Sequence, residues 1–586
     1  ARTVPAPRQS RGFVDLYREE RAALDKEAAR YVQDHPNLAS MMSGPLADQG
    51  VERLFEGIAF LNALLRRKLD DDIPEFIHEV MDTLQPHFLR PIPATTIVAF
   101  TPKVQLTHPL TINAGSQVDS IPLQGTQCRF RSCFDITVHP VKLTNAGYVE
   151  PSGKSPVIVL ELELKRMPLS AWQGNSLRLY LSGTYRQAGD IYLLLMRYLK
   201  QIIITASGNS IRLPAENLKP FGFGDNETIL AGEDGYMPGH LVVQEYFLFP
   251  EKYLFLDIHG MDKCRPLGES ASCTIEFELA SSLPYKPVVG AKSFALHAVP
   301  VINLFEHKAR PVLVDGRGTQ SKISISGRNP ENYRIYSVDQ VSAFNKAASG
   351  KTTYSRAQKE IHDLTGTTQY CLSYIQSITS SGYDTCIGFP AVQDAKPEYK
   401  SKIDIELTCS NGTLAERLGP GDVCIPAPTT PESPQPSNIS QVTHYISPGL
   451  RPNRQWRLFS TLILNGTSLQ TAPGVKAVLK QLALSDNRNH AVCKANLARI
   501  EAIESIEAKH SDRVISGKMH RGYEILLKLH SANFTGPGDM YLFASAFERF
   551  LGGYVSEFYY IRLTVEDLDG SYRFDWPARF GDRRVL

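Results

Sequence analysis

At 586 residues, with 42% apolar and 21% charged content, the chain is too long for one hydrophobic core and too apolar to be globally disordered. Its 63 Lys and Arg against 61 Asp and Glu leave a formal charge of +2, which excludes the one-signed field that gathers nucleic acid or anionic lipid. A multidomain protein of roughly three or four domains is expected, with protein surfaces as its partners.

The first segment, residues 1–92, reads as helical. Phe13, Tyr17, Leu24, Ala28 and Tyr31 recur at helical spacing until His35-Pro36 breaks the run. A second helix, capped by Asp48, carries Val51, Leu54, Phe55, Ile58, Leu61, Leu65 and Leu69 in a stripe with a period of about 3.5 residues, and Arg53 stands beside it. Such a narrow apolar seam suits packing against other helices, within this chain or from another. Arg66-Arg67-Lys68 reads as the solvated face. A third helix has Asp70-Asp71-Asp72 before it, Pro74 in its first turn and Phe76, Ile77, Val80, Met81 and Leu84 along one side. The aspartates suit the helix dipole better than a hard cation. Pro86 ends this helix.

Pro91 and Pro93 force an extended crossing, and a β-rich domain is expected over 93–305. Its strands are Val157–Leu164, Leu177–Leu181, Ile202–Thr205, Tyr253–Ile258 and Cys273–Leu279, and a sandwich-like architecture is the expectation. A second β-rich domain is placed at 306–455, where Ile403, Ile405 and Leu407 alternate with Asp404, Glu406 and Thr408. The prolines at 426, 428, 431, 434 and 436 predict an exposed, extended linker or loop at its end. The last domain, 456–586, reads as α+β, with a short helix over Gly474–Leu484 and a longer one that Asp539 can cap, carrying Leu542, Phe543, Ala546, Phe550 and Leu551. The fold class is therefore multidomain α+β: an N-terminal helical bundle region, β-sandwich-like middle domains and an α+β C-terminal domain.

A search for chemistry returns little. Ser349-Gly350-Lys351-Thr352 has Asn345 where a phosphate-binding loop needs glycine, and reads as a polar turn. Phe221-Gly222-Phe223-Gly224 lacks the third glycine of a dinucleotide fingerprint and reads as a tight loop. His35, His78 and His87 lack the spacing that sets two metal ligands on one helix face. The nine Cys form no C-x-x-C pair and suit a reducing compartment, and no G-x-S-x-G elbow is present. Ile191–Ala206, the most apolar stretch, is broken by Arg197 and Lys200 and is too short to span a bilayer. No catalytic residue, cofactor or metal is expected; the residues singled out are the seam.

Several long ordered motifs do carry a resemblance. Val51-Glu52-Arg53-Leu54-Phe55-Glu56-Gly57-Ile58-Ala59-Phe60-Leu61, Gln85-Pro86-His87-Phe88-Leu89-Arg90-Pro91-Ile92-Pro93, Gln244-Glu245-Tyr246-Phe247-Leu248-Phe249-Pro250-Glu251-Lys252-Tyr253, Pro300-Val301-Ile302-Asn303-Leu304-Phe305 and Trp456-Arg457-Leu458-Phe459-Ser460 resemble the TssF family, also called VasA or ImpG, of type VI secretion baseplate subunits. Gln49-Gly50 departs from the Pro-His expected there, and 346–370 does not align.

The resemblance implies a structural, non-enzymatic subunit of the baseplate wedge. Two copies of the chain would embrace one TssG, with TssE and TssK attached and the VgrG spike at the centre. It implies a cytoplasmic location, at a baseplate docked to the inner-membrane complex, with neither nucleic acid nor direct membrane insertion. The seam would then be intersubunit. A carbohydrate-binding or hydrolytic β-sandwich protein is the alternative, and it needs a pocket with convergent carboxylates.

Overall fold

A computed structural model describes residues 89–583 except 166, 231–237, 315–319, 328, 346–349, 357–368, 378–382, 390–400, 432–433, 449–470, 484–489 and 516, together with helical stretches within 17–25 and 53–62. The chain divides into two compact units, one of residues 1–89 and 449–463, the other of 90–448 and 464–586. In the first, Arg21 pairs with Asp25 one helical turn on, at 3.4 Å. Most of the expected N-terminal helices, including Asp70-Asp71-Asp72, His35 and His78, lie outside the described residues.

The second unit is α+β and rich in sheet. A six-stranded sheet runs in the order Val423–Pro426, Gln117–Leu123, Thr126–Ser132, Ala298–Ile302, Thr95–Thr101, Gln435–Asn438. Val98, Phe100, Val118, Phe130 and Val299 bury one face of it with Leu414 and Leu418. Of the expected linker or loop, the proline-rich segment is thus the loop: both its ends are strands of this sheet. Asn438 anchors it, its side-chain oxygen accepting from the amides of Gly421 and Val423 at 2.9 Å each. Pro426 and Pro436 sit on the two outermost strands, where a missing N–H costs no ladder bond.

A five-stranded sheet contains Val157–Leu164, Leu199–Ala206 and Ser272–Leu279, and a four-stranded one contains Ser176–Leu181 and Phe255–His259. The apolar stretch 191–206 changes element midway, from helix α1, Tyr185–Arg197, to the strand Leu199–Ala206. In the next sheet, Ile403, Ile405 and Leu407 face inward while Asp404 and Glu406 face solvent, as their alternation requires. Gly350–Arg356 is a strand there, not the polar turn expected around Lys351. Asn303 and Asn411 join the six-stranded sheet to this one. The Asn411 amide donates to Oδ1 of Asn303 at 2.7 Å, and Nδ2 of Asn303 returns a bond to Oδ1 of Asn411 at 2.9 Å.

Among the described residues the other long helices of this unit are α2, Pro238–Leu248; α3, Ala472–Leu482; α4, His490–Glu501; and α5, Pro537–Gly552. A C-terminal sheet follows the order Ile503–Ile515, Lys518–Leu529, Tyr560–Asp567, Arg573–Asp575. No described helix is long and apolar enough to cross a membrane.

Candidate interaction surface and its buried framework

Of the seam residues, Arg53, Leu54, Ile58 and Leu61 lie on a described helical stretch, whereas Val51, Phe55, Leu65 and Leu69 lie outside the described residues. Leu54 and Leu61 are two turns apart on one stripe, and they are 60% and 59% exposed. Ala59, which lies about 140° round the helix from Leu54 at the helical angle per residue, is fully buried, and Ile58 between the two faces is half-buried. Arg53 is exposed. The helix therefore buries a different side from the one that carries the two leucines, which leaves them an open apolar surface.

In the second unit, ionisable groups that a sequence suggests are solvated form the core of a helical junction. Asp539 does not cap α5, whose N-cap is Gly536; it sits in the first turn and reaches back to the amide of Thr535 at 3.1 Å. Its carboxylate also accepts from Tyr246 at 2.8 Å, from Tyr185 at 3.0 Å and from the Arg499 guanidinium at 3.0 Å. Arg499 is tied in turn to Asn496, which donates to the carbonyl of Phe247. Four segments, around 185, 246, 499 and 539, thus meet at one buried charge. In low dielectric such a set is strong only if every member is satisfied, and here each has its partner.

Close backbone approach makes the junction tight. A Cβ on Gly538 would lie 2.1 Å from the carbonyl of Gly189 in α1, and one on Gly239 of α2 would lie 2.4 Å from that of Arg549 in α5. Beside the junction, Lys252 and Glu245 form a fully buried ion pair, and the second carboxylate oxygen of Glu245 accepts from the amides of Ile229 and Leu230 at 2.7 and 2.8 Å. All of Glu245, Tyr246, Lys252 and Tyr253 belong to the 244–253 motif, whose role is therefore architectural. The sequence reading missed the pair because charged residues default to surface; the signal was Lys252 standing among Phe249, Tyr253 and Phe255.

Several groups with chemical potential are held in inert forms. Burial pushes the thiols of Cys128, Cys133 and Cys409 up to about 11, 12 and 12, so they stay protonated and poorly nucleophilic. A polar cavity of about 110 Å³ is lined by His139, His297, Arg178 and Asp257 among others. There Arg178 and Asp257 satisfy each other in a two-pronged pair of 2.7 and 2.8 Å. His297 accepts from the His139 amide, and desolvation lowers the two imidazoles to about 3 and 4. This is not the convergent carboxylate pair that glycoside hydrolysis needs. Among the described residues no group of three or more His, Cys, Asp or Glu is placed to hold a metal ion. The Phe221–Gly224 loop is tight, as expected: Gly222 takes a φ of +108° and, with Gly224, donates its amide to Glu227.

Residues 9–583 match the family described as type VI secretion system, TssF. The type VI secretion system component TssF1 of Pseudomonas aeruginosa strain PAO1 is 25% identical, over 98% of this chain and 99% of its own length. Among solved structures, a chain of the TssK-TssF-TssG baseplate subcomplex of a type VI secretion system is 25% identical with a TM-score of 0.77, over 91% of this chain and 99% of that one. A chain of the type VI secretion baseplate complex has a TM-score of 0.56 at 20% identity over 98% of this chain and 100% of its own, a likeness of fold alone. The family match spans both compact units and all the sheets, so this chain belongs to the TssF family of the type VI secretion system.

Proposed function

We propose that the chain is a non-catalytic structural subunit of a type VI secretion baseplate wedge, acting in the cytoplasm where the baseplate docks to the inner-membrane complex. In this reading two copies embrace one TssG, TssK and TssE attach, and the VgrG spike occupies the centre. The observation that carries it is the nearly complete mutual coverage, at a TM-score of 0.77, with a chain of a TssK-TssF-TssG subcomplex. Two features of this chain support it. The leucines at 54 and 61 offer an open apolar stripe to helices of another chain, and the buried junction around Asp539 fixes separate segments in one rigid support. The subunit acts by geometry: it holds partners at fixed positions and no bond is made or broken.

The test is the mass of the chain, alone and coexpressed with TssG, measured by light scattering on a sizing column. A complex of two copies per TssG is the expected result. A stable monomer that ignores TssG sinks the proposal.

A further inference from the structure

Among the described residues, the C-terminal sheet ends in an open edge. Ile503–Ile515 pairs with Lys518–Leu529 over twelve residue pairs, and no described strand pairs with its other side. Glu507, Ala508, Lys509 and His510 are consecutive and all exposed, so both faces of the strand stand in solvent there. Val514, 63% exposed, lies directly opposite Met519, 70% exposed, near the tip of the hairpin. A long strand edge without proline is a template for another strand, and its side chains decide which one.

We infer that this edge pairs with the same edge of a second copy of the chain, antiparallel about a two-fold axis at His510. The argument is charge complementarity. A two-fold antiparallel pair sets a residue against itself at the axis, so only a few registers exist. With His510 at the axis, Glu507 faces Arg513 twice, Ile506 faces Val514 twice, Ala508 faces Asp512 and Lys509 faces Ser511. Opposite charges directly across a strand pair attract and like charges repel. Sliding one step toward the base sets Lys509 on Lys509, and two steps set Glu504 on Asp512; one step toward the tip sets Lys509 on Arg513. The His510 register alone among these joins opposite charges without opposing like ones. Arg513 is available for it: its present contact with Glu524 is 3.6 Å long and both side chains are 40% exposed.

The inference deepens the two-copy reading above and rests on it for bringing two copies together. A single strand pair buries far less than the roughly 1,600 Å² of a standard interface, so the contact is weak alone and is strengthened where an assembly raises the local concentration. A covalent trap is therefore the suitable readout. Directly opposed Cα atoms lie about 4.5–5.5 Å apart, within disulfide range, whereas Lys509 and its symmetry mate would be separated by more than about 7 Å.

The experiment is a scan of A508C, K509C, H510C, S511C and D512C in the full chain, alone and coexpressed with TssG, under mild copper-phenanthroline oxidation. The unsubstituted protein, with its own nine Cys, gives the background. The expected result is a dimer yield that peaks at H510C, falls about tenfold when E507R or R513E is added and returns when both are present. Near-ultraviolet circular dichroism checks that each variant is folded. A peak at another position, yields at background throughout, or a double variant that fails to restore the yield overturns the inference. If H510C crosslinks while no variant associates with TssG, the baseplate reading fails and the strand pairing stands. If two copies bind TssG and H510C stays at background, the strand pairing alone fails.

Discussion

Lys252 and Glu245 tolerate little change, because both are almost completely removed from water. Replacing Lys252 by Met leaves the Glu245 carboxylate with two backbone amides and no counter-charge, a loss expected to cost about 3–5 kcal/mol. Adding Glu245→Gln should recover much of that loss, since a neutral amide needs no counter-charge; chemical denaturation of the two variants against the parent checks the order. If the double variant is the less stable, the pair is not the unit described.

The histidines give a second expectation at this scale. Burial lowers His139 and His240 to about 4 and His297 to about 3, below the ordinary value of 6.5. In the unfolded chain they take up protons as pH falls below about 6.5, while the folded chain does not until about 4. Stability should therefore be fully present above 6.5 and fall between pH 6.5 and 4, by about 1.4 kcal/mol per pH unit for each histidine. The variant H240F, which keeps the ring stacked on Phe550 but gives up the bond to Tyr554, should show a shallower slope by about one proton. An unchanged slope would remove His240 from the account. None of these positions was legible in the sequence, because burial of a single histidine depends on long-range packing, here Trp172 on His139 and Phe550 on His240.

Helices and strands show which signals a sequence does carry. Val157–Leu164, Ser272–Leu279 and Ser401–Ser410 were readable because alternation and β-branched content act within the strand itself. In the proline-rich segment only the loop is legible, not the strands at its two ends, because these are edge strands: a proline in such a place removes no ladder bond, so its presence says nothing about pairing. The glycines of the helical junction carried no signal either. Gly189 and Gly538 approach each other asymmetrically: a Cβ on Gly538 meets backbone at 2.1 Å, whereas one on Gly189 finds its nearest atom at 3.5 Å. Gly538→Ala should thus force α1 and α5 apart and cost at least about 1–3 kcal/mol, while Gly189→Ala should be close to neutral or slightly stabilising through its helix propensity. Thermal unfolding of the two variants side by side tests this, and equal losses would show that the helices repack freely.

For the whole molecule, the sequence spoke most clearly where it said least about chemistry. Its balanced charge and its seam pointed to protein partners, and its long motifs pointed to the TssF family, to which residues 9–583 belong. Protein interfaces in general leave no short motif in a sequence, so the seam needs a direct test. Leu61 is 59% exposed, so Leu61→Asp removes little buried area and should change stability by no more than about 0.5 kcal/mol. At an interface the same substitution buries a carboxylate against apolar side chains, which costs several kcal/mol unless the contact is given up. Copurification with TssG should therefore fall at least tenfold for the variant while its unfolding curve overlays that of the parent. Arg53→Glu, on the flank of the stripe, should weaken the association less and in a salt-dependent way, because a rim charge acts mainly on the rate of encounter. Full TssG binding by Leu61→Asp would place the contact on another surface; a shifted unfolding curve would instead show that Leu61 packs within its own chain.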